Sequence, residues 1–157
     1  MGKFRIIVVD RTRSPFLKEG EAFYLKRISR YATVEWVEVK AARITKSRPR
    51  EEVLALEADR IVRRIGDRDY LVALDSGGDP VDSEGLAAWL ERRTARSQGA
   101  ITFVIGGPLG LSSRILDRSR KILSLSRLTL THEMARLVFL EQIYRAFTII
   151  RGEKYHK

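Results

Sequence analysis

The sequence contains no cysteine and only two histidines, which excludes several classes of site. Without cysteine there can be no disulfide framework, no thiolate zinc site and no cysteine nucleophile. Long hydrophobic runs are also lacking: the apolar run at residues 6–9 is too short for the core of a signal peptide. No stretch approaches the length of a membrane span. We therefore expect a cytoplasmic protein that does not enter a membrane.

Acidic residues are few relative to basic ones. The 157 residues include 30 Lys and Arg against 20 Asp and Glu, for a formal net charge of +10. A charge of this sign attracts polyanions, so nucleic acid is the leading class of partner, and a basic surface without a particular ligand is the alternative. The length and the 44% hydrophobic content predict one domain over residues 1–157.

Strands and helices are predicted to alternate along the chain. Runs rich in β-branched and aromatic residues predict strands at residues 3–10, 33–39, 69–74, 100–105 and 121–125. The segments between them carry apolar residues three and four apart, as helices do. Near-continuous apolar strands indicate burial on both faces, so we predict an α/β fold with a mostly parallel sheet flanked by helices.

Hydroxyl and proline residues mark the predicted helix starts. Ser14 with Pro15, and Ser47 with Pro49, combine a capping hydroxyl with a proline near the first turn, and Ser83 opens a third helix. The basic segment 43–50 resembles a linker, but no internal domain boundary is predicted.

The last helix is predicted from about residue 133 to about residue 150. Its apolar stripe is broad, and ordinary core packing and a dimer interface are both open interpretations. The stripe comprises Met134, Leu137, Val138, Leu140, Ile143, Tyr144 and Phe147.

Two glycine-rich segments follow apolar strands. Residues 103–110 read FVIGGPLG, and glycines there permit close ligand approach or a tight turn. Ligands of α/β proteins bind beyond the carboxyl ends of the strands, which places this segment where a cofactor would bind. In the second segment, residues 74–80, turn chemistry explains the aspartates, and the spacing does not match a calcium loop. We predict no metal site.

Four blocks together resemble a known family: FVIGGPLG, LSLSRLTLTH, EQIYRAF and the terminal RGEKYHK. They resemble the small SPOUT-superfamily methyltransferases that modify N3 of a pseudouridine in large-subunit ribosomal RNA, and the spacing of the blocks is kept. Thr131, Leu109 and Lys154 depart from the common pattern, which bears on the shape of the local loops.

The resemblance implies a C-terminal deep trefoil knot that binds S-adenosylmethionine, a rare exception to the rule against threaded chains. It also implies a homodimer in which the tail of one subunit completes the site of the other, with ribosomal RNA or the ribosome as partner. The implied cofactor contacts, largely through main-chain atoms, are Leu74, Gly106, Leu125, Ser126, Arg127, Leu128, Thr129 and Leu130.

The implied chemistry gives roles to three C-terminal residues. The enzyme must place the methyl group close to the nucleophilic nitrogen and exclude water, and N3 must lose its proton. We expect His156, with Tyr155 beside it, to assist deprotonation or to hold the base. We expect Arg145 to bind phosphate or to stabilise negative charge on a carbonyl oxygen, with a plain surface cation as the alternative. A basic surface close to the cofactor loops is expected to bind the RNA backbone, formed by Arg114, Arg118, Arg120, Lys121 and Arg127.

Two other functions remain open from the sequence. One is a non-catalytic RNA-binding or ribosome-associated factor that has lost the methyl donor. The other is an unrelated α/β nucleotide-binding protein, although neither a dinucleotide fingerprint nor a phosphate loop is present.

Overall fold

The computed structural model describes residues 2–157, which form one sheet of parallel strands with helices on both faces. Its elements are β1 (Lys3–Val9), α1 (Pro15–Ile28), β2 (Thr33–Val39), α2 (Arg50–Val62), β3 (Tyr70–Pro80), α3 (Ser83–Arg96), β4 (Ile101–Ile105), α4 (Ser113–Arg118), β5 (Lys121–Ser124) and α5 (His132–Ile150). The strand order is β2-β1-β4-β3-β5, and every pairing is parallel. The predicted α/β class is confirmed, and the knot, with which this strand order is consistent, stays a prediction.

The helices form two layers around the sheet. Helices α1, α3 and α5 cover one face, where Phe4, Phe103, Phe139 and Phe147 are fully buried. Helices α2 and α4 cover the other face, against Ile7 and its neighbours. All five residues of β4 are buried, as expected for a central strand covered on both sides. The core therefore holds the carboxyl ends of the central strands rigidly at one edge.

Strand β3 differs from its predicted course. The sequence pattern predicts its end at Leu74, but the strand continues to Pro80 through a register shift between Leu74 and Asp79. A Cβ atom at Gly78 would lie 2.7 Å from the main-chain carbon of Ile122, so glycine is needed there for close approach to β5. The second glycine segment is therefore an irregular strand and not a simple turn.

Ser14 is the N-cap of α1 with Pro15 after it, and Ser83 opens α3, as predicted, but the predicted capping by serine hydroxyls is wrong for α1 and α2. Neither Ser14 nor Ser47 caps its helix through the side chain, and α2 has Pro49 at its N-cap position. The main-chain N–H groups of Arg13 and Ser14 instead donate to Glu133 Oε1, at 2.7 and 3.1 Å. The carboxylate of Glu133 on α5 therefore accepts hydrogen bonds from main-chain N–H groups at the N-terminus of α1. The sequence around Ser14 does not indicate this contact.

Helix α5 has a buried face and a partly open face. The buried face includes Phe139, Leu140, Ile143 and Phe147, which pack on the sheet. Met134, Leu137, Val138 and Tyr144 are only half-buried, so the predicted stripe divides between the core and the surface. Nowhere in residues 2–157 does a helix have both the length and the apolar character needed to cross a bilayer.

Candidate functional site

A cavity of about 650 Å³ opens beyond the carboxyl ends of β3, β4 and β5. This is the position where ligands bind in open α/β sheets, and the volume lies in the range of small-molecule sites. It is lined by Arg50, Leu74, Asp75, Ser76, Ile105, Gly106, Gly107, Pro108, Leu109, Gly110, Leu125, Ser126, Leu128, Thr129, Leu130, Thr131, His132 and Ala135.

The turn after β4 forms one wall of the cavity, and it requires its glycines. The N–H of Gly110 donates to the carbonyl of Gly107 at 3.0 Å, and Gly110 has a positive φ of 84°. A Cβ atom at Gly106 would lie 2.4 Å from the carbonyl oxygen of Gly110, closer than real contacts allow. The turn is therefore both a tight fold of the main chain and a wall of the cavity.

The loop between β5 and α5 forms the opposite wall. Ser126 Oγ accepts from the N–H of Leu128 at 2.9 Å, and Thr131 Oγ1 caps α5 by accepting from the N–H of Met134 at 3.2 Å. Within residues 2–157, no protein group accepts a hydrogen bond from the main-chain N–H of Thr129 or Leu130. These donors lie at the cavity wall, where a ligand can accept from them.

The structure brings seven of the eight sequence-predicted cofactor residues to this cavity. They are Leu74, Gly106, Leu125, Ser126, Leu128, Thr129 and Leu130. Arg127 lies in the same loop but is exposed and does not line the cavity. His132, at the first position of α5, also lines it, and burial, together with the charge of Arg136, lowers the pKa of its imidazole.

The three predicted catalytic residues form a second cluster, at the C-terminal end of α5. Glu141 Oε1 accepts from Arg145 Nη2 at 2.5 Å and from the Tyr155 hydroxyl at 3.0 Å. The Arg145 guanidinium lies 4.8 Å from the centroid of the Tyr155 ring. His156 Nδ1 lies 3.3 Å from Arg145 Nη1, and its Nε2 lies 3.6 Å from Glu84 Oε1.

Hydrogen bonding assigns protons within this C-terminal cluster. Arg145 can only donate, so His156 Nδ1 accepts from it and carries no proton in this arrangement. Burial, with the hydrogen bonds to Tyr24 and Glu141, raises the pKa of Tyr155, so its phenol stays protonated. The hydrogen bond to Glu141 raises the pKa of Arg145. Tyr155 is therefore a hydrogen-bond donor and a stacking surface, and His156 Nδ1 is the candidate proton acceptor.

Within one chain the cavity and the C-terminal cluster are separate. The cavity touches α5 at His132 and Ala135, and the cluster is centred on Arg145. Ten residues of α-helix between Ala135 and Arg145 correspond to about 15 Å. Within one chain, a cofactor in the cavity would therefore not contact the three residues of the cluster.

The predicted basic surface does not lie together beside the cofactor loops. Lys121 begins β5 and Arg120 directly precedes it. Both line a separate cleft with Trp89, and Lys121 lies about 13 Å along the chain direction from Leu125. Arg114 forms an ion pair with Asp59. The expectation is wrong for Arg120 and Lys121, because a parallel strand places its first and last residues at opposite edges of the sheet, and it stays a prediction for Arg114, Arg118 and Arg127.

Sequence reasoning missed two functional candidates. Glu141 is four residues before Arg145 on α5, and this spacing alone is enough to predict their pairing. Arg50 Nη2 donates to the carbonyl oxygen of Leu109 at 2.8 Å, a contact between residues 59 positions apart that leaves no local pattern. Within residues 2–157, no group of three or more Asp, Glu or His side chains is arranged to hold a metal ion.

Comparisons with known proteins agree with the geometry. A family model described as "Predicted SPOUT methyltransferase" matches residues 2–156. A protein of Listeria monocytogenes named "Ribosomal RNA large subunit methyltransferase H" is 44% identical over 156 residues, which cover 98% of each chain. A protein of the same name from Halothermothrix orenii is 40% identical over 158 residues, which cover 99% of each chain.

Solved structures share the fold at low sequence identity. A probable methyltransferase from Bordetella pertussis superposes with a TM-score of 0.59 at 18% identity, covering 92% of this chain and 94% of that one. A probable methylase family protein from Haemophilus influenzae gives a TM-score of 0.57 at 18% identity, covering 98% and 70%. At this identity the likeness supports the fold alone.

Proposed function

The chain belongs to the SPOUT methyltransferase family, and from this premise we propose that it methylates N3 of a pseudouridine in large-subunit ribosomal RNA, with S-adenosylmethionine as donor. The observation that carries the proposal is the cavity at the carboxyl ends of β3, β4 and β5. Its walls are the same segments that the family resemblance assigns to the cofactor. The relatives named as ribosomal RNA methyltransferases support the choice of substrate.

The cavity suits S-adenosylmethionine in its chemistry. Leu74, Leu125 and Leu130 offer apolar surface for an adenine ring, and the free N–H groups of Thr129 and Leu130 offer hydrogen bonds to it. Asp75 adds a carboxylate at the cavity wall for the positive charge of the donor. When bound, S-adenosylmethionine supplies a methyl group on a sulfonium, which an electron-rich nitrogen accepts by in-line displacement.

The C-terminal cluster acts on the substrate base. His156 Nδ1 takes the N3 proton or holds the base when the base replaces Arg145 Nη1 as its hydrogen-bond partner. Arg145 is then placed to stabilise negative charge on a carbonyl oxygen, and Glu141 fixes its orientation through the 2.5 Å hydrogen bond. Tyr155 donates a hydrogen bond or stacks on the base, since its raised pKa excludes a phenolate base.

A homodimer brings the two parts of the site together in this proposal. The separation of about 15 Å along α5 means that the cluster of one subunit must reach the cavity of its partner. Half-buried Leu137 and Tyr144 on α5, with exposed Phe16 and Phe23 on α1, provide apolar surface for such an interface. Arg127, exposed beside the cavity, is then free to meet the cofactor or the RNA.

The small size of the chain favours a large, preassembled substrate. A chain of 157 residues with one sheet has little surface of its own for selecting one nucleotide, so the assembled ribosome, in the cytoplasm, is the proposed substrate. The knot expected from the family would hold the turn after β4 and the loop after β5 in a fixed arrangement around the cofactor.

The proposal is tested by calorimetric titration with S-adenosylmethionine, followed by methyl transfer to ribosomes from cells that lack this methylation. We expect stoichiometric binding and a methyl group on a pseudouridine of the large-subunit RNA. Binding of ribosomes without binding of S-adenosylmethionine would instead identify a non-catalytic ribosome-associated factor.

A further inference from the structure

The loop between β2 and α2, residues 40–49, together with Arg50, forms a concentrated basic surface next to the cavity. These eleven residues include five basic ones and no acidic one: Lys40, Arg43, Lys46, Arg48 and Arg50. The side chains of Arg43 and Lys46 are exposed, and within residues 2–157 they make no hydrogen bond or ion pair. Arg48 forms an ion pair with Glu52 and Arg50 donates to Leu109, so Arg43 and Lys46 are the cations available to attract a polyanion.

The loop is fixed to the glycine turn of the cavity at both of its ends. At its start, the N–H of Ala42 donates to Glu57 Oε2 at 3.0 Å, and Glu57 Oε1 lies 3.9 Å from the position of a Cβ on Gly107. At its end, Arg50 donates to the carbonyl oxygen of Leu109 at 2.8 Å and lines the cavity. The basic surface therefore has a defined position relative to the cavity.

The parallel sheet places the loop at residues 40–49 at the same edge as the cavity. Since all strands are parallel, the loop after β2 leaves the same edge as the turn after β4, two strands away or about 10 Å. Ile44, at 54% exposure, adds an apolar side chain among the free cations. Cationic side chains bind phosphates, and an exposed apolar side chain can pack on an unstacked base.

We infer that residues 40–50 bind the RNA backbone beside the target nucleotide and position it over the cavity. The inference rests on the proposed function, and it assigns the RNA contact to this loop instead of to Arg120 and Lys121. Arg43 and Lys46 bind phosphates, and Arg50 is a positioning residue that ties the RNA-binding loop to the wall of the cofactor cavity.

The test compares a double variant, Arg43→Gln with Lys46→Gln, against the matched control Arg63→Gln with Arg64→Gln. The control removes the same charge from exposed arginines at the end of α2, on the opposite edge of the sheet. Binding to ribosomes that lack the methyl group is measured by cosedimentation between about 50 and 200 mM salt. Binding of S-adenosylmethionine is measured by calorimetry on the same preparations.

For the double variant we expect ribosome affinity to fall on the order of tenfold, and the slope of log affinity against log salt to decrease by about 1.4 to 1.8. Affinity for S-adenosylmethionine should stay at the wild-type value, and the control should keep both properties. If the double variant loses no more ribosome affinity than the control, the inference is overturned. Methyl transfer by the wild-type protein would in that case still support the proposed function. A wild-type protein without methyl transfer would overturn the proposed function, and the inference with it.

Discussion

Replacing the buried Arg136 by methionine is expected to cost a large part of the stability of the fold. Arg136 lies on α5 and its side chain is fully buried. It donates to the carbonyl oxygen of Val9 at 2.5 Å and to Thr12 Oγ1 at 2.9 Å. Thr12 Oγ1 in turn donates to the buried Glu21 at 2.6 Å, so one side chain joins α5, the end of β1 and α1.

The magnitude follows from what the substitution leaves behind. Methionine keeps the apolar stem but removes the charge, so Val9 and Thr12 lose their donor and Glu21 loses the nearby positive charge. Breaking one side of a buried ionic network costs about 3 to 5 kcal/mol. Burial already raises the pKa of Glu21, so its carboxyl can take up a proton and hold the loss near the lower value.

Urea unfolding of Arg136→Met at constant protein concentration measures this loss. With a slope of about 2 kcal/mol/M, a loss of about 3 kcal/mol moves the midpoint by about 1.5 M. Arg92→Met, at an exposed position of α3, is the matched control and should change stability by less than about 0.5 kcal/mol. Adding Glu21→Gln to Arg136→Met should recover part of the loss. A midpoint for Arg136→Met equal to that of the control would refute the reasoning.

Three further predictions concern the two sites and pH. Gly106→Ala should lower the affinity for S-adenosylmethionine at least about tenfold, because the new Cβ meets the Gly110 carbonyl oxygen; unchanged calorimetric affinity would contradict the assigned cavity wall. His156→Ala should lower the methyl-transfer rate by about 10² to 10⁴ with unchanged affinity for S-adenosylmethionine, and a folded variant with the wild-type rate would show that His156 has no catalytic role. Burial lowers the pKa of His132 below 6.5, so the unfolded chain binds a proton more readily and stability should fall as pH falls below 6.5. His132→Gln should flatten this part of a urea-unfolding pH series, and an unaltered series would contradict the shift.

Local sequence patterns predicted the elements well because each pattern has a local cause. The apolar β-branched run of β4 predicts a strand covered on both faces, and the structure buries all five of its residues. The start of α5, predicted at about residue 133, lies at His132, and the structure adds Thr131 as its cap. The glycine turn at residues 106–110 was recognised because its close main-chain contact excludes other residue types.

Local sequence patterns do not predict contacts between residues that are far apart in the sequence. Glu133 serves the N-terminus of α1 in place of Ser14, and Arg50 binds the carbonyl oxygen of Leu109; both pairs are far apart in sequence. Residues close in sequence also lie apart in space, since Lys121 begins β5 and Leu125 follows its last residue. Only the order and direction of the strands place the basic loop at residues 40–50, and not Arg120 and Lys121, beside the cavity.

The most direct test of the account uses mixed dimers, because its central claim is a site built from the cavity of one subunit and the C-terminal cluster of the other. Differently tagged Gly106→Ala and His156→Ala chains are coexpressed, and the heterodimer is purified through both tags. Each variant alone should transfer little methyl to ribosomes, whereas the heterodimer keeps one intact site of two and should regain about half of the wild-type rate. A heterodimer no more active than its parent variants would contradict the shared site.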